Sequence, residues 1–140
     1  MNISEELRQM QHSVIRLRQH IRENPGDDDA KADLAAFLAR TGEEREAIAL
    51  LEERLRQGVS HPAIRHNLAE LYRNTGNLRD AEALFDGLIA EYPRFIPSYK
   101  SLIPLVASRL NREALPSAEH LEIVSRLAAF KKQIAFEFKL

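Results

Sequence analysis

The sequence predicts an all-α protein, a helix–turn–helix solenoid of roughly seven helices with capping helices at its N- and C-terminal ends. Apolar residues recur at helical spacing along most of the 140 residues. Similar residues also recur at one fixed offset of 34 positions, in the pairs Leu34/Leu68, Ala35/Ala69, Leu38/Tyr72, Gly42/Gly76, Ala47/Ala81, Leu51/Phe85 and Leu55/Ile89. Because a fixed period is the signature of stacked repeats, we expect these units to form a single domain over residues 1–140.

The composition narrows the class of protein. The net charge of −1 provides no field that would attract nucleic acid or acidic membranes. The absence of cysteine excludes disulfides and thiolate metal sites. No apolar run approaches the length of a membrane span, and the first residues lack the apolar core of a signal peptide. We therefore expect a cytoplasmic protein with neither nucleic acid nor membrane as a partner.

The first predicted helix covers residues 4–24, with Ser4 as its N-cap and Asn24-Pro25-Gly26 as its end. Its apolar residues form a heptad stripe of Ile3, Leu7, Met10, Val14, Leu17 and Ile21. The stripe favours either a coiled-coil dimer or packing against the next helix. Because it spans fewer heptads than stable coiled coils use, we favour packing within the chain.

Two repeats follow, over residues 28–61 and 62–95. In the first, Asp27 to Asp29 provide an N-cap. In each, a glycine ends the leading helix, Gly42 in the first repeat and Gly76 in the second, because glycine adopts the left-handed conformation without a Cβ clash. In the second repeat Asn77 is the predicted N-cap of the next helix, with Asp80 in the capping-box position.

The last segment, residues 96–140, forms a divergent third helix pair and a tail. Tyr99, Leu102 and Val106 continue the repeat, and Pro104 is expected to kink this helix or remove a hydrogen bond. A turn is predicted at Leu110-Asn111, followed by a loop that leads to Ser117 as an N-cap. The tail 134–140 alternates apolar and polar residues, which leaves a strand, a helical continuation or a docking segment open. We expect the tail to be buried, by its own domain or by a second copy.

These spacings and residue types resemble the tetratricopeptide repeat family. In the second repeat its marker positions are occupied by Leu68, Ala69, Tyr72, Gly76, Ala81, Phe85 and Pro93. The first repeat departs from the pattern at Val59, where the family prefers proline, and Lys31 and Arg65 stand where the family has an early aromatic residue. The resemblance implies that the first helix of each repeat lines a concave groove in which a partner peptide lies.

The groove residues follow from a helical wheel, on the face about 140° from the core stripe. They are Ala32, Ala36, Ala39, Arg40, His66, Glu70, Arg73, Asn74 and Lys100, and the family resemblance adds Asn67. The alanine row predicts a shallow trough rimmed by Arg40, Arg73 and Lys100, unless these alanines only favour helix formation or are covered by the N-terminal helix. Members that clamp a C-terminal carboxylate use a set of lysines, asparagines and arginine, of which only Asn67 is matched here.

No motif in the sequence points to catalysis. There is no Gly-rich phosphate loop, no HExxH motif and no nucleophile elbow, and the five histidines suggest no metal site. We therefore predict a non-catalytic, cofactor-free scaffold or adaptor that binds a protein or peptide partner in the groove. Two alternatives remain, namely a homo-oligomer assembled through the N-terminal helix or the tail, and a regulatory module of a larger enzyme.

Overall fold

The computed structural model describes residues 2–112 and 117–139. Within these ranges the chain forms seven helices and no strand, which confirms the predicted all-α class. The helices are α1 (Ile3–Glu23), α2 (Asp28–Arg40), α3 (Glu44–Arg56), α4 (Pro62–Asn74), α5 (Leu78–Glu91), α6 (Ile96–Arg112) and α7 (Ser117–Phe138). They divide into two compact units, residues 1–77 and residues 78–140, and each unit is described by itself.

In the first unit, α1 packs against α2. The N-cap of α1 is Asn2, whose side-chain oxygen accepts a hydrogen bond from the Glu5 N–H at 2.9 Å. The prediction of Ser4 is therefore wrong, because Ser4 already lies in the first helical turn. Val14 is buried while Ile3 remains 83% exposed, so only part of the heptad stripe packs within the chain.

Capping residues account for several of the helix ends in the two repeats. The Asp27 carboxylate caps α2 by accepting from the Ala30 N–H at 3.0 Å, as predicted. Gly42 and Gly76 adopt φ of +86° and +87°, two residues after the last residues of α2 and α4. An alanine at either glycine would be strained, since L-residues rarely adopt this conformation.

The core of the first unit lies where α2, α3 and α4 meet. It contains small and branched apolar residues from all three helices, namely Leu34, Ala35, Leu38, Ala47, Leu51, Ile64, Leu68, Ala69 and Leu71, each at most 4% exposed. The apolar face that each helix shows in sequence is thus the face that it buries. This packing leaves the remaining faces of α2 and α4 to form a surface.

In the second unit, α6 packs against α5 and α7. Its core consists of Ala81, Phe85, Leu88, Ile89, Tyr99, Leu102, Leu105, Val106, Ile123 and Phe130. Helix α6 continues through Pro104, which lies on its exposed face. Since proline has no N–H, the Lys100 carbonyl loses its helical donor there, as predicted.

The predicted turn at Leu110-Asn111 is wrong, because α6 continues to Arg112. Asparagine tolerates the left-handed conformation but does not require it, and Asn111 keeps helical geometry. Ser117 is the first helical residue of α7 rather than its N-cap. The loop residues 113–116 that we assigned before it lie outside the described residues.

The tail continues α7 as a helix to Phe138, so the strand alternative is wrong for the described part of the tail. Helical periodicity places Ile134 and Phe138 on one face, and both are half-buried. Phe136 lies on the opposite face and is 81% exposed. The tail's own domain therefore does not bury Phe136, burial by a second copy stays a prediction, and Leu140 lies outside the described residues.

Candidate functional site

Helices α2 and α4 pack side by side in the first unit and present one continuous surface. The side-chain amide of Asn67 on α4 donates a hydrogen bond to the backbone oxygen of Ala32 on α2, at 3.0 Å. This bond joins the two helices at the predicted groove. We call the surface beside it the α2/α4 face, which consists of Ala36, Ala39, Arg40, His66, Glu70, Arg73 and Asn74.

Two of the predicted groove residues lie elsewhere. Ala32 is only 2% exposed because α4 covers it, so its prediction as an open trough residue is wrong. A helical wheel identifies the face of a helix but not the neighbour that covers it. Lys100 lies on α6 in the second unit and lines a different cavity.

On the α2 side, the face consists of two small side chains and the guanidinium of Arg40. Ala36 is exposed and Ala39 is half-buried. Arg40 is exposed in the last turn of α2, and within the described part of the chain no ion pair or hydrogen bond engages its guanidinium. An exposed cation beside methyl groups can receive a carboxylate without first breaking an internal contact.

On the α4 side, the charged residues contact one another. The guanidinium of Arg73 donates to the Glu70 carboxylate, and His66 Nε2 lies 3.7 Å from the other Glu70 oxygen. Burial lowers the pKa of His66, the Glu70 charge opposes this effect and the Arg73 charge adds to it. His66 is therefore neutral near pH 7 and provides a polar rather than a charged group.

A second cluster, in the second unit, was not anticipated from the sequence. The Arg126 guanidinium on α7 contacts two carboxylates of α5, Glu82 and Asp86, the latter at 2.6 Å. Arg109 on α6 lies 3.1 Å from Glu82. Burial raises the pKa of Asp86, while the charge and hydrogen bonds of Arg126 oppose the rise. The cluster joins three helices and is a structural feature of the unit.

Neither a metal-binding group nor a membrane-spanning helix occurs among the described residues. No group of three or more His, Asp and Glu side chains within them is placed to hold a metal ion. No helix formed by them is long and apolar enough to cross a bilayer. The surfaces that the two units do present consist of helix faces.

These helix faces, built from units that recur every 34 residues, define an α-helical repeat protein. The family model for the tetratricopeptide repeat matches residues 46–103, so this segment is similar to that family, in agreement with the resemblance seen in the sequence. No curated protein matches the chain. Tetratricopeptide repeats generally mediate protein–protein interaction and are typically non-catalytic.

Proposed function

We propose that this chain is a non-catalytic scaffold or adaptor of the cytoplasm that holds a segment of a protein partner against the α2/α4 face. The observation that carries the proposal is the exposed Arg40 beside Ala36, which no other described residue engages, on a surface where Asn67 joins α4 to α2. Small side chains on α2 leave room for a partner backbone to approach closely. The guanidinium then provides a charged anchor at the end of the helix.

The chemistry of this face favours an acidic segment. Arg73 is already paired with Glu70, so its interaction with a partner carboxylate competes with an existing ion pair. Arg40 has no such competitor among the described residues. A carboxylate near Arg40 therefore gains most, and the polar groups of His66 and Asn74 offer hydrogen bonds along the rest of the segment.

The test compares partner capture by two double variants of equal charge change. Arg40→Glu with Arg73→Glu reverses one unengaged arginine and one that is paired with a glutamate three residues earlier. Arg45→Glu with Arg56→Glu does the same on α3, where Arg45 is exposed and Arg56 pairs with Glu53. We expect proteins that co-purify with the wild type to be lost from the first variant and kept by the second.

The proposal is wrong if both variants capture the same proteins as the wild type. Equal loss from both would also contradict it, because the effect would then follow net charge and not the α2/α4 face. Thermal melts of the two variants verify that the substitutions leave the fold intact. Each partner that passes this comparison can be cross-linked to the chain to identify the segment that lies on the face.

A second candidate function, self-assembly through α1, rests on a different observation. Ile3, Leu7 and Ile15 are 83%, 40% and 64% exposed, so a row of large apolar side chains on α1 remains uncovered in the single chain. Sedimentation over a concentration series tests this candidate. A dimer that Leu7→Lys dissociates supports it, and a monomer at every concentration contradicts it.

A further inference from the structure

A groove between α6 and α7 opens on the surface of the second unit. We call it the α6/α7 groove, and it is lined by Ile96, Tyr99, Lys100, Ile103, Pro104, Ile134 and Phe138. It encloses about 370 Å³, and nearly all of its lining atoms are apolar. From Ile96 to Ile103 its α6 wall extends over roughly two helical turns, or about 10 Å. The groove can therefore accept two apolar side chains that lie one turn apart.

In the first unit, the positions of α2 that correspond to the α6 wall of the groove are covered by a neighbouring helix. Two steps of the repeat offset place Lys100 and Ile103 at the positions of Ala32 and Ala35. In the first unit these two alanines are 2% and 0% exposed, and α4 lies over α2 at this point. In the second unit Lys100 is exposed, and so is Ile96, at 46%. The part of the α2 surface that α4 covers is thus open at the corresponding positions of α6.

The rim of the groove is positively charged. Lys100 on α6 is exposed, and so is Lys131, which shares a face of α7 with Ile134 and Phe138. The Arg94 guanidinium lies over the Phe138 ring, 5.7 Å from its centroid. Opposing them is Glu137, which is half-buried and whose charge raises the pKa of Tyr99 after the larger effect of burial. Cations therefore prevail around the opening.

We propose that the α6/α7 groove binds an amphipathic helix of a second protein, one that carries acidic residues beside its apolar stripe. The apolar side chains of that helix enter the groove, and its carboxylates face Lys100 and Lys131. This site goes beyond the proposed function, because it uses a different unit and no residue of the α2/α4 face. The exposed apolar row of α1 in a second copy is a poorer occupant, since α1 carries four arginines, Arg8, Arg16, Arg18 and Arg22.

The test selects displayed random peptides against the intact chain and measures binding of the selected peptides to two matched variants. Ile96→Glu with Lys100→Glu alters the groove. Phe136→Glu with Lys132→Glu makes the same two changes on the face of α7 outside the groove. All four residues are exposed, so both variants are expected to fold, and thermal melts check this.

We expect the selected peptides to place large apolar residues at helical spacing with Asp or Glu beside them. The groove variant should raise their Kd about tenfold or more, which corresponds to about 1.4 kcal/mol. The Phe136→Glu, Lys132→Glu control should bind as the wild type does. Added salt should weaken binding to the wild type, because exposed charge pairs are screened.

Several outcomes would overturn the proposal. Selected peptides rich in Lys or Arg would contradict the charge argument, and equal binding to both variants would place the site elsewhere. Loss of peptide binding in the Arg40→Glu, Arg73→Glu variant would assign the peptides to the α2/α4 face. A dimer of the chain alone that only the groove variant dissociates would make a second copy the occupant. Failure to select any helical acidic peptide would also contradict it.

Discussion

The side-chain amide of Asn67 on α4 donates a hydrogen bond to the backbone oxygen of Ala32 on α2, 3.0 Å away. A helical carbonyl oxygen keeps a second lone pair, so this bond adds to the hydrogen-bond ladder of α2 without replacing any part of it. Asn67 thereby holds the two helices that form the α2/α4 face at a fixed register. Its role is to position that face, and its amide is already engaged before any partner binds.

Asn67→Ala should reduce the free energy of unfolding by about 0.5–1.5 kcal/mol, the net contribution of a typical hydrogen bond. Asn74→Ala on the same helix is the control, because it makes the same substitution at an exposed position. Urea denaturation of the two variants measures the difference. Equal stability of both variants would mean that the bond between α2 and α4 contributes nothing.

Ala81→Leu should cost about 1–3 kcal/mol, because a larger side chain in a filled core displaces its neighbours. Ala81 is 0% exposed, whereas Ala83 on the same helix is exposed. Ala83→Leu should therefore change the stability by less than about 0.5 kcal/mol. Thermal melts compare the two variants, and a melt of Ala81→Leu equal to that of the wild type would show that the site has room for a leucine.

The helices and turns of the two repeats were predictable because their signals are local. Gly42 and Gly76 identify the turns, since glycine alone adopts a φ near +86° at no steric cost. Asp27 caps α2 through an atom three residues from its partner. Where glycine is absent, as at Asn111, the local sequence permits both a turn and a helix, and the packing of the whole segment decides.

The candidate site was only partly predictable, because it depends on contacts between distant segments. The wheel placed Ala36 and Ala32 on the same face of α2, yet α4 covers one and leaves the other exposed. The contact between Arg126 and Glu82 joins residues 44 positions apart, which no repeat period indicates. Such pairings follow from tertiary packing and cannot be obtained from spacing along one helix.

Arg126→Met should destabilise the second unit by about 1–3 kcal/mol, because it leaves the carboxylates of Glu82 and Asp86 without their shared partner. Arg79→Met is the control, since Arg79 is exposed on α5. Chemical denaturation measures both variants. If Arg126→Met is as stable as the control, solvent already screens the cluster and the ion pairs contribute little.

The stability of the chain should fall as the pH drops below about 6.5, and His66 should account for part of that loss. Burial lowers the pKa of His66 in the folded state, so between the folded and unfolded pKa values the unfolded chain binds more protons. The free energy of unfolding therefore rises with pH through this window, and the penalty is absent above it. Glu70 limits the size of the effect, because its charge raises the pKa of His66.

His66→Gln removes the titrating group and should flatten the decline in urea midpoint between about pH 7.5 and 5.5. His12→Gln on α1 is the matched control, because it makes the same substitution at an exposed position. A variant at position 66 with the same pH dependence as the wild type would contradict the burial of this imidazole.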